Sequence, residues 1–190
     1  MLLPIITAPN PVLSSIAQPI KKVNKEIRLL IAQMTETLES AKDPEGVGLA
    51  APQVGKSIQL FMARPSKTSP LLICINPKLL PFIDQKNQAN QKHPEIQKKK
   101  HSRIKLEGCL SLIDIWGEVQ REGKIKLSFL DEHGKQHTKM FAGFLATIVQ
   151  HEYDHLQGIL FPKRVLEQKG KLYKSSKDEK GETVFEEIKI

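Results

Sequence analysis

Apolar residues recur at helical spacing in the first quarter of the chain. They lie on one stripe of a helix and are Ile27, Leu30, Ile31, Met34, Leu38 and Ala41. Asn24 has the short polar side chain that caps a helix N-terminus. Asp43-Pro44 ends the pattern, because the residue before proline avoids helical geometry. The pattern predicts a long N-terminal helix that packs into the core and carries no chemistry.

Shorter apolar runs predict strands. The segments Ile58 to Ala63 and Leu71 to Ile75 are typical of buried strands, and Asn76-Pro77 is expected to close the second. Apolar and polar residues alternate from Lys124 to Leu130, as on a strand with one buried face. The polar residues 131–134 then predict a hairpin turn.

Two segments are much more polar than the rest. Residues 84–105 are rich in Lys, Gln, Asn and His and predict a long surface loop. The chain becomes polar again after Phe161-Pro162, and its last residues form either a small hairpin or a solvated tail; we favour the hairpin. We therefore expect one main domain over residues 1–165 and a polar extension over residues 166–190.

Composition and charge indicate the size of the domain, its possible partners and its location. The 190 residues, of which 39% are hydrophobic, suffice for one domain with its own core, and no apolar run approaches the length of a membrane span. The net charge of +8 favours an acidic neighbour such as the ribosome. Basic and aromatic residues are not interleaved, which argues against sequence-specific nucleic-acid binding. Two cysteines and a poor signal peptide predict a reducing, cytoplasmic location.

The strongest chemical signal lies between Thr147 and Gly158. On a helix, His151 and His155 lie on one face, where they can hold a metal ion. Glu152 reaches the rim of the same site, where a carboxylate can move protons to and from water. The competing interpretation is a solvated surface helix, but a His-Glu-x-x-His pattern is rare enough to favour a metal site.

A catalytic metal usually takes three protein ligands, so the histidine pair lacks one. Cys109 is the best candidate, because Cys74 lies within an apolar strand. Two alternatives stay open for Cys109: a buried structural thiol, or a nucleophile paired with a histidine.

Small residues dominate the segment from Gly46 to Gly55 and leave its backbone open to another chain. Gln53 is its one polar side chain, and either stabilises a turn or donates a hydrogen bond into a cleft. On the predicted metal helix, Phe144, Thr147 and Ile148 precede His151 and should line an adjoining pocket.

Three of these segments together resemble the peptide deformylase family. Gly-x-Gly-Leu-Ala-Ala-x-Gln stands at Gly46 to Gln53, Glu-Gly-Cys-Leu-Ser at Glu107 to Ser111, and Gln-His-Glu-x-x-Asp-His-Leu at Gln150 to Leu156. The general layout matches from about Pro4 to Pro162. The resemblance implies an α+β fold with antiparallel strands packed around a central metal-binding helix, and with a second long helix near the N-terminus.

The resemblance also implies an activity and residue roles. Members of the family are ferrous enzymes that remove the formyl group from the initiating methionine of nascent polypeptides, although Zn2+, Ni2+ or Co2+ can occupy the site. The implied metal ligands are Cys109, His151 and His155; Glu152 is the implied general base and acid for attack by metal-bound hydroxide; Gln53 and the Leu110 N–H are the implied oxyanion donors. The bare backbone around Val47, Gly48 and Gly108 is expected to bind the peptide, and Val47, Phe144, Thr147 and Ile148 to enclose the methionine side chain.

Two departures from the family pattern concern substrate preference beyond the methionine. Ile113 stands where many members have proline, and Trp116 where an arginine is frequent. Two other functions compete with the deformylase. A zinc peptidase would need a further ligand downstream, but His155 is the last histidine. A ribosome-associated binding module would have no reason to retain Glu152 or Cys109.

Overall fold

The computed structural model describes residues 1–42, 45–81 and 105–189. These residues form a mixed α/β fold. Its helices are α1 (Lys25–Ser40), α2 (Gly143–Leu156) and α3 (Phe161–Glu167), and two 3-10 helices span Pro11–Ser14 and Ala51–Val54. Its strands are β1 (Gly48–Ala50), β2 (Leu60–Ala63), β3 (Leu72–Leu80), β4 (Lys105–Cys109), β5 (Leu112–Val119), β6 (Lys124–Leu130), β7 (Gln136–Ala142), β8 (Leu172–Lys177) and β9 (Thr183–Ile188).

The strands form two antiparallel sheets. The first has the order β1-β2-β3-β6-β7, and the second the order β4-β5-β8-β9. Core side chains of α2 pack on the first sheet together with residues of β2, β3, β6 and β7; the α2 members of this cluster are Ala146, Ile148, Val149 and Leu156. The α2 helix ends at Leu156, and Gly158, two residues further on, adopts a φ of +67° that favours glycine.

The N-terminal helix forms as predicted. The Asn24 side-chain oxygen accepts a hydrogen bond from the Ile27 backbone N–H at 3.0 Å, which caps α1. Its apolar stripe packs against residues of the first sheet in a second cluster; the fully buried members include Met34, Leu38, Leu49, Leu60 and Met62. This helix contributes no side chain to the site described below.

The predicted end of the second strand is wrong. Rather than stopping at Asn76-Pro77, β3 continues to Leu80, with a register shift between Ile75 and Lys78. Asn76 takes a φ of +49°, and its side-chain amide accepts from the Ile20 N–H and donates to the Ile20 C=O, both at 2.8 Å. The irregularity lets the strand pass a proline without losing its pairing with β6.

The C-terminal residues join the second sheet. The strands β8 and β9 form a hairpin, and β8 pairs with β5. The sequence placed a boundary between the main domain and the C-terminal extension after residue 165. This position lies inside α3, and the boundary stays a prediction. Lys105 belongs to β4 rather than to the predicted polar loop, whose remaining residues 84–104 lie outside the described part of the chain. Within the described ranges, no helix has both the length and the hydropathy to cross a membrane.

The N-terminal segment is tied to distant parts of the chain. The Ala8 N–H donates to the Ser111 carbonyl at 3.0 Å, and the Ala17 N–H donates to the Leu156 carbonyl at 2.9 Å. These bonds connect the segment that precedes α1 with the β4–β5 turn and with the end of α2.

Candidate active site

The helix α2 carries both histidines on a buried face. Their ring centroids lie 5.0 Å apart with an interplanar angle of 73°. His155 is 1% exposed, and the side chain of His151 is 11% exposed. Burying a polar ring costs free energy unless its nitrogens have partners, so we expect both imidazoles to bind other groups of the protein or a ligand.

Cys109 completes a cluster with the two histidines. It ends β4, immediately before the two-residue turn into β5, and its Sγ lies 3.3 Å from Nε2 of His155. The ligand atoms of Cys109, His151 and His155 all lie within 4.8 Å of one another. One thiolate and two imidazoles are a donor set that suits a divalent transition metal and leaves a coordination position for water or substrate. The residues present therefore fit a metal.

His151 is held by a carboxylate behind it. Its Nδ1 lies 3.0 Å from Oε2 of Glu107. An ionised carboxylate can only accept, so Nδ1 carries a hydrogen and Nε2 is the atom that can bind a metal once it is deprotonated. Glu107 in turn accepts two hydrogen bonds from Arg121, both at 2.9 Å.

These contacts belong to a larger buried ion network. Arg121 also donates to Asp154 of α2 at 2.6 Å, and Asp154 accepts from Arg164 of α3 at 2.7 Å. Burial alone would raise the pKa of Glu107, but hydrogen bonds from His151 and Arg121 outweigh it and bring the pKa from 4.5 to about 2. Glu107 therefore stays ionised and fixes the orientation of His151.

Sequence analysis did not assign this network. Glu107 and Asp154 both lie inside the motifs that were used, and their carboxylates are the signal that was available. Nothing in the spacing shows that Arg121 would lie between them, because its partners come from β4 and α2.

Glu152 lies beside the cluster and is 3% exposed. Its Oε2 is buried and makes no hydrogen bond to the described residues. Burial raises the pKa of Glu152 to about 7. A carboxyl group in this state can take up and release a proton near neutral pH.

Gln53 stabilises the turn, as one of the two interpretations left open by the sequence predicted. Its Oε1 accepts from the Ala50 backbone N–H at 2.8 Å, which stabilises the turn after β1. Its Nε2 donates to Ser111 Oγ at 3.2 Å and faces Cys109 Sγ at 3.4 Å. The amide is therefore fixed at one end and directed toward the metal cluster at the other.

A cavity of about 300 Å³ adjoins these groups. It is lined by every residue predicted to contact the substrate: Val47, Gly48, Gly108, Phe144, Thr147 and Ile148. Gln53, Leu110, Cys109, His151 and Glu152 also reach it, whereas His155 lies behind them. The wall further includes Trp116, which the sequence linked to substrate preference beyond the methionine, and Glu45 and Leu106, to which it assigned no role.

Metal affinity is expected to fall as the pH falls. Burial lowers the pKa of His151, but hydrogen bonds to Cys109 and Glu107 outweigh it, so in the metal-free chain the pKa lies well above its ordinary value. Burial lowers the pKa of His155, which is therefore neutral. A metal must displace the His151 proton, so its apparent affinity should drop about tenfold per pH unit for each proton displaced.

Competition with a colorimetric chelator across the neutral range measures this dependence. A His133→Ala variant is the matched control, because this imidazole is 79% exposed in the β6–β7 turn and should leave the dependence unchanged. An affinity that does not vary with pH would contradict the assignment of His151 as a ligand.

Proteins of known family match most of this chain. The family model for polypeptide deformylase matches residues 2–171. The peptide deformylase of Psychrobacter cryohalolentis is 40% identical over 162 residues, which are 84% of this chain and 77% of that protein. The peptide deformylase of Chlorobium luteolum is 38% identical over 170 residues, which are 87% of this chain and 79% of that protein.

Solved structures agree with the sequences. The crystal structure of peptide deformylase from Thermotoga maritima matches with a TM-score of 0.71 at 30% identity and covers 87% of this chain and 98% of that one. A peptide deformylase from Synechococcus elongatus, solved in complex with actinonin, matches with a TM-score of 0.71 at 33% identity and covers 86% of this chain and 78% of that one. With its motifs, fold and metal cluster in agreement, the chain belongs to the peptide deformylase family, whose members remove N-formyl groups from nascent peptides.

Proposed function

We propose that this chain deformylates N-formylmethionyl nascent polypeptides by hydrolysis in the cleft between β1, β4 and α2. The observation that carries the proposal is the convergence of a Cys-His-His cluster and a buried carboxyl with a pKa of about 7 on one cavity. Formamide hydrolysis needs an activated water, a proton carrier and donors for a developing oxyanion, and this cleft holds a candidate for each.

Cys109, His151 and His155 would hold the metal. A divalent ion bound there supplies the Lewis acidity that makes hydroxide available near neutral pH. Thiolate and imidazole donors suit several metals. Membership of the family makes Fe2+ the expected native ion, and Zn2+, Ni2+ or Co2+ can replace it in preparations.

Glu152 acts as the proton carrier. Its carboxylate accepts a proton from the attacking water and delivers it to the nitrogen of the leaving methionine. Oε2, which has no hydrogen-bond partner among the described residues, can accept the hydrogen bond from water. Because the pKa of Glu152 is about 7, the group can both take up and release the proton near neutral pH.

Gln53 and the Leu110 N–H stabilise the negative charge that develops on the formyl oxygen. Fixed donors of this kind typically contribute about 3–4 kcal/mol each to transition-state stabilisation. The bond from Ala50 to the Gln53 oxygen sets the orientation of the amide before substrate arrives.

The substrate lies extended along the backbone of β1 and β4 where these strands border the cavity. Val47, Gly48 and Gly108 offer main-chain groups for pairing, and an added strand gives affinity that is independent of peptide sequence. Phe144, Thr147 and Ile148 enclose the methionine side chain from the α2 side.

Replacing Gly48 with alanine is expected to lower kcat by about 10²-fold, because the added methyl group would misplace the catalytic carboxylate of Glu152. A Cβ at this position would overlap the Glu152 carboxylate and displace it. Formate release and metal content are the measurements. A matched Gly123→Ala variant has open space around its Cβ and should behave as the parent. Full activity of Gly48→Ala would show that Glu152 tolerates displacement and is not the proton carrier.

The test of the proposed function is release of formate from formyl-Met-Ser-Ser by protein prepared with ferrous iron under exclusion of oxygen. Stoichiometric formate with an intact peptide chain is the expected result. Cleavage of an internal peptide bond would indicate a peptidase. Absence of both reactions in metal-loaded protein would overturn the proposal. Actinonin, which is bound in the S. elongatus structure, is expected to inhibit the reaction.

The cellular setting follows from the same substrate. Nascent chains carry their formyl group in the cytoplasm beside the ribosome, and the net charge of +8 favours proximity to its anionic surface. The fraction of protein that co-sediments with ribosomes should fall as the salt concentration rises. Binding that does not depend on the salt concentration would exclude an electrostatic contact.

A further inference from the structure

The cleft extends past the methionine pocket to Trp116. This residue of β5 stands directly opposite Gly108 of β4, and it lines the same cavity as Glu152. A Cβ built on Gly108 would lie 2.9–3.0 Å from three atoms of the indole ring. The indole therefore covers the bare backbone of Gly108, and this part of the cleft wall is an aromatic surface.

Leu106 continues that surface. It precedes Gly108 by two residues on β4, so both face the same side of the sheet. Leu106 also lines the cavity and is 38% exposed. An extended peptide that pairs near Gly108 would pass directly over an apolar wall.

The C-terminal hairpin holds the indole in place. The indole N–H of Trp116 donates to Ser175 Oγ of β8 at 3.1 Å. The ring of Phe185 on β9 meets it edge-on, with centroids 5.7 Å apart and an interplanar angle of 87°. Ser175 and Phe185 are opposite each other in the hairpin, and both lie beyond residue 171, where the family match ends.

We propose that Trp116 binds an apolar side chain of the residues that follow formylmethionine, and that the hairpin of β8 and β9 positions it for this contact. The inference rests on the proposed function, because it assumes that the cavity receives the start of a formylated peptide. A pair of aromatic rings is more stable than the buried area alone would predict, so phenylalanine is the most sensitive probe of a contact with Trp116.

The geometry restricts which position is selected. Successive side chains of an extended peptide point to opposite sides, so only one of the two positions after methionine can face the indole. The selected position should prefer phenylalanine over serine by about two- to tenfold in kcat/KM, the range expected for an aromatic contact.

The kinetic test compares formyl-Met-Phe-Ser, formyl-Met-Ser-Phe and formyl-Met-Ser-Ser. The parent should favour one phenylalanine peptide, Trp116→Ala should reduce the ratio to about one, and Trp116→Phe should retain most of it. A parent that treats all three peptides alike, or a preference that survives Trp116→Ala, would overturn the inference. Failure to release formate from any peptide would instead contradict the proposed function.

A spectroscopic test does not depend on turnover. Trp116 is the only tryptophan in the chain, so intrinsic fluorescence reports on this one site. Titration with the deformylated peptides Met-Phe-Ser and Met-Ser-Phe should change the emission in a saturable manner, and the phenylalanine peptide that is selected should bind more tightly than Met-Ser-Ser. Fluorescence emission that does not change with any of the peptides would contradict the proposed contact between Trp116 and the peptide.

The role of the hairpin is tested with Phe185→Ala. This variant should shift the emission of the free protein to longer wavelength and raise KM for the selected phenylalanine peptide relative to formyl-Met-Ser-Ser. Val184→Ala is the matched control, since Val184 is 43% exposed and adjacent but points to the other face of β9. Equal behaviour of the two variants would contradict a positioning role for the hairpin.

Discussion

Replacing Glu152 with glutamine is expected to lower kcat for deformylation by about 10²- to 10⁴-fold, the usual contribution of a general acid and base. Glutamine has the size of glutamate but cannot carry a proton at neutral pH. The buried carboxyl has a pKa of about 7 and an oxygen without a hydrogen-bond partner among the described residues, so its replacement removes proton transfer rather than packing.

Formate release, measured beside metal analysis of the same preparation, tests this expectation. The metal content should be unchanged, because Glu152 is not a member of the Cys-His-His cluster. Glu132→Gln, on a carboxylate that is 43% exposed in the β6–β7 turn, serves as the control and should keep the parental kcat. Near-parental activity of Glu152→Gln, with metal bound, would assign proton transfer to another group.

Removing the Arg121 side chain should lower the free energy of unfolding by about 3–5 kcal/mol. Its guanidinium is 8% exposed and pairs with two carboxylates that are no more exposed than itself, Glu107 and Asp154. An Arg121→Ala variant would leave both charges buried, with Glu107 paired only to His151 and Asp154 only to Arg164. His151 would also lose its fixed orientation, so metal affinity should fall as well.

Denaturant unfolding of the metal-free proteins measures the loss. Arg164→Ala is the control, because its side chain is 32% exposed and Asp154 keeps its bond to Arg121; the expected loss is about 1 kcal/mol or less. The pKa of Glu107 is depressed from 4.5 to about 2, so its contribution is present above pH 4.5 and is lost as the pH falls through 2. Equal losses for the two arginines would contradict a buried network centred on Arg121.

Local signals predicted the elements that frame the site. The cap at Asn24 and the spacing of apolar residues locate α1, and alternation locates β6. The helix with His151 and His155 was predictable because residues four apart share a face in any helix. Cys109 needed more than spacing: elimination favoured it over Cys74, and only the resemblance to a family assigned it as a ligand.

Features that depend on contacts between distant residues were not predictable. Asn76-Pro77 is locally a strand terminator, but Asn76 pairs with the backbone of Ile20, 56 residues away, and the strand continues. The sequence likewise does not show that Arg121 lies between two carboxylates, or that Trp116 reaches Ser175. Tertiary context decides each of these cases, and no pattern within one segment encodes it.

The bonds from Ala8 to Ser111 and from Ala17 to Leu156 have a consequence for the order of events during synthesis. A ribosome releases residue 17 long before residue 156, so the bond from Ala17 to Leu156 can close only after α2 has emerged. A chain stopped ahead of α2 holds the thiol of Cys109 but neither histidine. Contacts of this range also slow folding, because distant segments must meet first. An enzyme that processes the beginnings of other nascent chains must therefore itself be synthesised past His155 before its own Cys-His-His cluster can assemble.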